Sequence, residues 1–597
     1  MGGLCSILKD GEEAPGRGSQ GIMKEKPHLK ISKMTQLKRA GARSPEEPWR
    51  LAISKREFNS LDDYSKALED LQLAEKERAF DAAVETSASE TERRAAEIVS
   101  RIRNYDREQT YGKALDTNGQ PTGKRRPGGH FLGNVDLINN TELMRIARRM
   151  PKGAHLHIHF NSCLPARFLI QQARDIEAMY IRSTLPLTSP ENMAASRISF
   201  MVMTEEEAAP LADLWTADYP SNAWMSYRQF QLKFHYEDAG RILRGTSGAE
   251  IWLEQKMLFS EEETYATSQT ARGTQMMKGL FAYESAFRNY TRACIKDFVK
   301  DNIQYAEIRP NFMSTNSLKT DDGKGSIRNE GIMEIIDQEL RNTMLEIEGQ
   351  KGYFGGMKVI YCTPRIFKKE QIETALNECI YLKKKFPRLL CGFDLVGEEE
   401  MGNELRHFVP EFLAFQRECK EQKLEIPFLF HCGETLQVGD KTDGNLFDAI
   451  LLNAKRIGHG YAVARHPLLM QIFKEKNIAI ESCPISNEIL GLTPTIAGHN
   501  LPILLANDVP CTINSDNATF YRSSLSHDFY QTMIGSEAMS LYGWKQLAMW
   551  SLEHSCMDDT EREKVTAEWT RRWEDFCQWI VEDFAWMANW EPKLTRH

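Results

Sequence analysis

From Met150 onward the sequence predicts an α/β fold, a closed (β/α)8 TIM-type barrel with an N-terminal helical extension and an insertion after the first strand. Three observations carry this. Eight short apolar runs recur, longer amphipathic segments separate them, and the unusual polar residues stand at the C-terminal ends of the runs. The runs are "AHLHIHF" from Ala154, "IQYAEIR" from Ile303, "MKVIYC" from Met357 and "LLCGFDLVG" from Leu389. "PFLFHCGE" from Pro427, "RIGHG" from Arg456, "IAIESCP" from Ile478 and "PCTINSD" from Pro510 complete the set. Segments such as "NEGIMEIIDQELRNTMLEIEG" and "NELRHFVPEFLAFQRECKEQ" between them show helical spacing.

The remaining elements follow in order. Residues 1–48 are rich in Gly, Pro, Ser and Lys and read as a disordered tail. Residues 49–148 read as a helical extension, because charges alternate with apolar residues at helical spacing up to about Ser100, before a polar, Gly-rich stretch. Its expected roles are packing or self-association as a homodimer. The barrel occupies 149–590, and the long gap between the first two runs implies an insertion at about 181–276.

Composition narrows the class. The chain has 597 residues, 41% hydrophobic, enough for a large core. A net charge of −9 points away from nucleic acid. Twelve scattered cysteines without a CxxC pair read as reduced thiols in an intracellular protein. No apolar run reaches the roughly 18 residues of a membrane span. "MGGLCS" nevertheless carries an N-myristoylation pattern on Gly2, with Cys5 open to palmitoylation. Eight basic residues against one acid follow between Gly16 and Arg43. A chain plus a basic patch gives stable peripheral attachment, so the expected location is cytoplasmic, tethered to a membrane face.

The first run sets three histidines, His155, His157 and His159, on one face of a strand. His157 and His159 can aim at a common ion, and His431 with Asp516 can complete a three-His, one-Asp set of the kind zinc accepts. Water on such an ion ionises near neutral pH. Glu434, three residues past His431, is placed to move protons, and His459 to orient or deprotonate the water. HxH alone is a weak signal; the ordered set is strong.

Six blocks in order, "MPKGAHLHIH", "FDLVGEE", "FHCGET", "RIGHGYA", "ESCPISNEIL" and "INSDN", resemble the signature blocks of the adenosine deaminases, zinc-dependent barrels of the metal-dependent amidohydrolase superfamily. The N-terminal helices and the insertion resemble the growth-factor-related branch. The resemblance implies one Zn²⁺ per chain on His157, His159, His431 and Asp516, with His155 an extra histidine where relatives carry an apolar residue. It implies Glu434 as the acid that protonates purine N1, and His459 as the histidine beside the attacking water. Gly397 is then the glycine whose N–H approaches purine N3. The implied reaction is hydrolysis of adenosine or 2′-deoxyadenosine to inosine or 2′-deoxyinosine, with release of ammonia.

Two positions depart from the family pattern. Asn517 replaces an Asp that interacts with purine N7, and its amide always offers N–H donors. Asn161 stands near where many relatives have an Asp that contacts the ribose 5′-hydroxyl; losing that charge would remove repulsion towards a phosphate. AMP or an N6-substituted purine is the alternative substrate, and a catalytically weak signalling or binding relative is the rival class. "NAT" from Asn517 is a glycosylation sequon beside a metal-type ligand. That favours an intracellular location over the secretion typical of growth-factor-type relatives. "HYE" at His235 is not followed by the PCxxC of base deaminases, so that reading is chance.

Overall fold

Eight short strands form the staves of the barrel: β1 Ala154–His159, β2 Tyr305–Arg309, β3 Met357–Pro364, β4 Leu390–Val396, β5 His431–Cys432, β6 Arg456–His459, β7 Ala479–Ser482 and β8 Cys511–Ile513. Strands β1 to β4 pair in parallel in chain order, and so do β5 to β8. Two parallel bridges, Phe393 with Phe428 and Ile158 with Asp516, join the two sheets into a ring. This computed structural model describes residues 48–591 apart from 55–56, 114–124, 239, 262–263, 265–269, 314–316 and 351. Gly2, Cys5 and the basic run lie outside the described residues. No described helix is long and apolar enough to cross a membrane.

The chain divides into two units, Met1–Lys76 and Glu77–His597. The described part of the first is two helices, Pro48–Ser54 and Leu61–Lys76. In the second, helices Ala82–Ser87 and Glu90–Gln109 precede the barrel. Helix Asp559–Asp583 ties them to it. Its buried face, Val565, Trp569, Trp573, Phe576 and Ile580, recurs at helical spacing. Trp573 Nε1 donates to Glu92 in the extension (3.0 Å) and Trp569 Nε1 to the Pro151 carbonyl just ahead of β1 (2.9 Å). Between β1 and β2 the chain adds a three-stranded antiparallel sheet (Ile198–Val202, Met179–Ser183, Trp224–Ser226) and the hairpin His235–Asp238 with Arg241–Arg244.

At the N-terminal end of the staves, residues 554–556 form a strap. Arg456 donates to the His554 carbonyl, Lys455 to that of Ser555 and Lys358 to that of Cys556, each at 2.9 Å. The Cys556 N–H donates to Glu307 (2.5 Å). Cations from β3, β6 and the residue ahead of β6 thus cap three successive carbonyls.

Strand β1 corrects one expectation. Its three histidines do not share a face. The register with β2 shifts between His155 and Ile158, and Asn514 Oδ1 accepts from both the Leu156 and the His157 N–H (2.9 and 3.0 Å). Simple alternation breaks at a bulge. His155 therefore packs against Phe298 of helix Glu284–Lys300, and its Nε2 accepts from Ser515 N–H at 3.2 Å.

Candidate active site and metal centre

The C-terminal ends of β1, β5, β6 and β8 bring the expected residues together. Ligand atoms of His157, His159 and His431 all lie within 4.8 Å of one another. Asp516 Oδ1 is 3.6 Å from His157 Nε2 and 3.2 Å from His159 Nε2. His431 and His459 pack edge-on against His157, with ring centroids 4.5 and 4.8 Å from it. Gly458 makes this crowding feasible, because a Cβ there would meet His157 Cε1 at 3.0 Å.

The cluster suits a metal ion on its own chemistry. His157 Nε2 and Asp516 Oδ1 are buried and have no hydrogen-bond partner, a costly arrangement unless something binds there. The rest of each group is committed elsewhere. His157 Nδ1 donates to Glu481 (2.7 Å), His431 Nδ1 to Asp394 (2.8 Å), and Asp516 Oδ2 accepts from Ser486 (2.7 Å). The carboxylates fix the tautomers that leave Nε2 open. Burial, with Arg309 close by, holds His157 well below the usual imidazole range and so neutral, as a ligand must be. Burial would raise the Asp516 carboxyl, but His159 Nε2 close beside it and the surrounding histidines outweigh that and hold it well below the usual carboxylate range. Cys483 also lies near His157 and His459. Burial pushes its thiol well above the usual range, however, and it points its proton at the Glu481 carbonyl.

Glu434 and His459 flank the cluster, with Glu434 Oε1 3.2 Å from His459 Nδ1. Desolvation, reinforced by the Asp516 and Glu399 charges, pushes the Glu434 carboxyl well above the usual range, which favours its protonated form. Its turn is clamped by Glu399, which accepts the N–H groups of Gly433 (3.0 Å) and Glu434 (2.8 Å). His459 and Asp516 both adopt left-handed backbone, φ 58° and 55°. Such strain in non-glycine residues collects at functional sites. Gly397, just past β4, has φ 108°, and a Cβ there would meet nothing within 4 Å. Asn161 sits in the turn after β1 and Asn517 after Asp516, both half-buried. Thr519 of the sequon is buried, its hydroxyl bonded to the Leu164 carbonyl at 2.5 Å.

A family model described as adenosine deaminase matches residues 270–571. An adenosine deaminase of Phlebotomus duboscqi is 32% identical over 464 residues, covering 76% of this chain and 81% of that protein. The chain belongs to the adenosine deaminase family. Human adenosine deaminase 2 is 28% identical over 75% of this chain and 83% of its own length. Such relatives place the chain in the growth-factor-related branch. A zinc-bound amidohydrolase from Burkholderia ambifaria shares the barrel, with a TM-score of 0.50 and 14% identity, over 74% of this chain and 95% of that one.

Behind the ligands of this deaminase-family site lies a layer that sequence reasoning missed. Arg309 donates to Asp394 (3.0 Å), Glu481 (2.6 Å) and the Leu156 carbonyl (2.5 Å). Arg456 donates to Glu481 and Glu307, both at 2.6 Å. All five charged side chains are fully buried. A visible signal existed: each is a charged residue inside a short apolar run.

Proposed function

We propose that the chain hydrolyses the C6–N6 bond of adenosine and 2′-deoxyadenosine. The observation that carries this is the pair of orphaned atoms, His157 Nε2 and Asp516 Oδ1, 3.6 Å apart in the cluster that Glu434 flanks. The family membership supports the reading. His157, His159, His431 and Asp516 would hold one zinc ion, which supplies a nucleophilic water at neutral pH.

The chain's own groups do the rest. Glu434 gives its proton to purine N1 as the water oxygen bonds to C6, then takes back the proton that the water sheds. The remaining hydroxyl proton passes to N6, and the C–N electron pair leaves with ammonia. His459 contacts the incoming oxygen. The open face at Gly397 admits the purine edge to its backbone N–H, while Asn517 donates to N7 without needing to be protonated. Asn161 borders the ribose end.

Ultraviolet absorbance of the zinc-loaded protein tests this with adenosine, 2′-deoxyadenosine, AMP and N6-methyladenosine. Turnover of the two unsubstituted nucleosides is expected. Turnover of AMP or the methylated compound alone would transfer the role of Asn161 and Asn517 to a different substrate. No turnover of any of the four would sink the assignment.

A further inference from the structure

Three hydrogen bonds in a buried row decide which nitrogen of His459 carries its proton. The row begins at the Leu501 backbone N–H, which can only donate, and it points at His499 Nδ1 (3.0 Å). That nitrogen is therefore an acceptor, and the proton of His499 sits on Nε2. His499 Nε2 lies 3.0 Å from Asn487 Oδ1 and donates to it. The Asn487 amide is thereby oriented, with its NH₂ group 3.2 Å from His459 Nδ1. Facing a donor, His459 Nδ1 must accept.

Glu434 Oε1 is equally near, at 3.2 Å, but is outside hydrogen-bond geometry. All three side chains of the row are buried, with Asn487 1%, His459 3% and His499 5% exposed, so water does not compete.

We propose that Asn487 and His499 are positioning residues that lock His459 in the neutral tautomer with its proton on Nε2. His459 then serves the reaction as a hydrogen-bond donor to the oxygen that adds to C6, and not as the base that deprotonates water. With Nδ1 committed to Asn487, Nε2 carries the only N–H of a ring that lies against the His157 and His431 rings, centroids 4.8 and 5.3 Å away. Proton removal from water is left to Glu434 after it has protonated the purine. This inference rests on the deaminase reading and divides its proton traffic.

The test separates hydrogen bonding from packing. His499 also packs edge-on against Tyr461, centroids 5.4 Å apart. His499→Gln keeps an N–H where Nε2 stands but loses the ring; His499→Phe keeps the ring but loses the donor. With adenosine, His499→Gln is expected to stay within a few-fold of the parent kcat. His499→Phe should lose about tenfold or more, as when a catalytic imidazole leaves its working tautomer. KM and zinc content should be unchanged in both. The opposite order, Phe active and Gln impaired, would show that the residue only fills space and would overturn the proposal. So would equal activity of the two, or a loss carried by KM or by zinc. Activity of the parent protein reports separately on the deaminase assignment, so the two readings fail independently.

Discussion

The two ends of the barrel handle buried polarity in opposite ways. At the strap end, Glu307, Glu481 and Arg456 each meet a charged partner, and three cations cap three carbonyls. At the other end, His157 Nε2, Asp516 Oδ1 and Glu434 Oε1 lie buried and unbonded within one cluster. Satisfied charge holds the staves in register, while unsatisfied atoms are kept for a ligand. One residue serves both ends: Glu481 takes Arg456 on one oxygen, and Arg309 with His157 on the other.

Removing function without touching structure is the sharpest way to test this contrast. Glu434→Gln keeps shape and hydrogen bonding but cannot donate and retake a proton. Turnover should fall about 10⁴-fold while zinc content stays as in the parent; near-normal turnover would remove Glu434 from the proton path. Breaking the strap end should do the reverse. Arg456→Met strands Glu307 as a buried uncompensated carboxylate, leaves Glu481 with Arg309 as its one remaining cation, and should cost about 3–5 kcal/mol in urea denaturation. A variant of unchanged stability would mean that the buried ions are not coupled as described. Asp394→Asn acts between the ends. It withdraws the charged acceptor from His431 Nδ1, and zinc retention against a chelator should weaken about 10- to 100-fold. Smallest of all, Asp558→Ala removes the cap just beyond the strap, where Oδ1 accepts from Glu561 N–H at 2.8 Å. Thermal stability should drop by about 1 kcal/mol with kcat untouched.

How much of this was written plainly in the sequence depends on range. The staves were legible because each is a local apolar run, and the candidate ligands because each stands at the end of one. Placing His155 on the same face as His157 and His159 failed, because the bulge depends on Asn514, more than 350 residues away. Asp394, Glu481, Arg309 and Arg456 lay inside quoted motifs, yet their roles are pairwise. A carboxylate in β4 gains meaning only from an arginine in β2 and a histidine in β5. The row from Leu501 to His459 is likewise invisible in one dimension, since its members come from three separate segments.

The strap at residues 554–556 also has a kinetic side. Lysine, arginine and peptide backbone occupy one mouth of the barrel, while the candidate ligands stand at the other. A purine nucleoside entering from the ligand end would stand between the ammonia released behind it and bulk solvent. Release from that end would then be sequential, the deaminated nucleoside leaving before the ammonia.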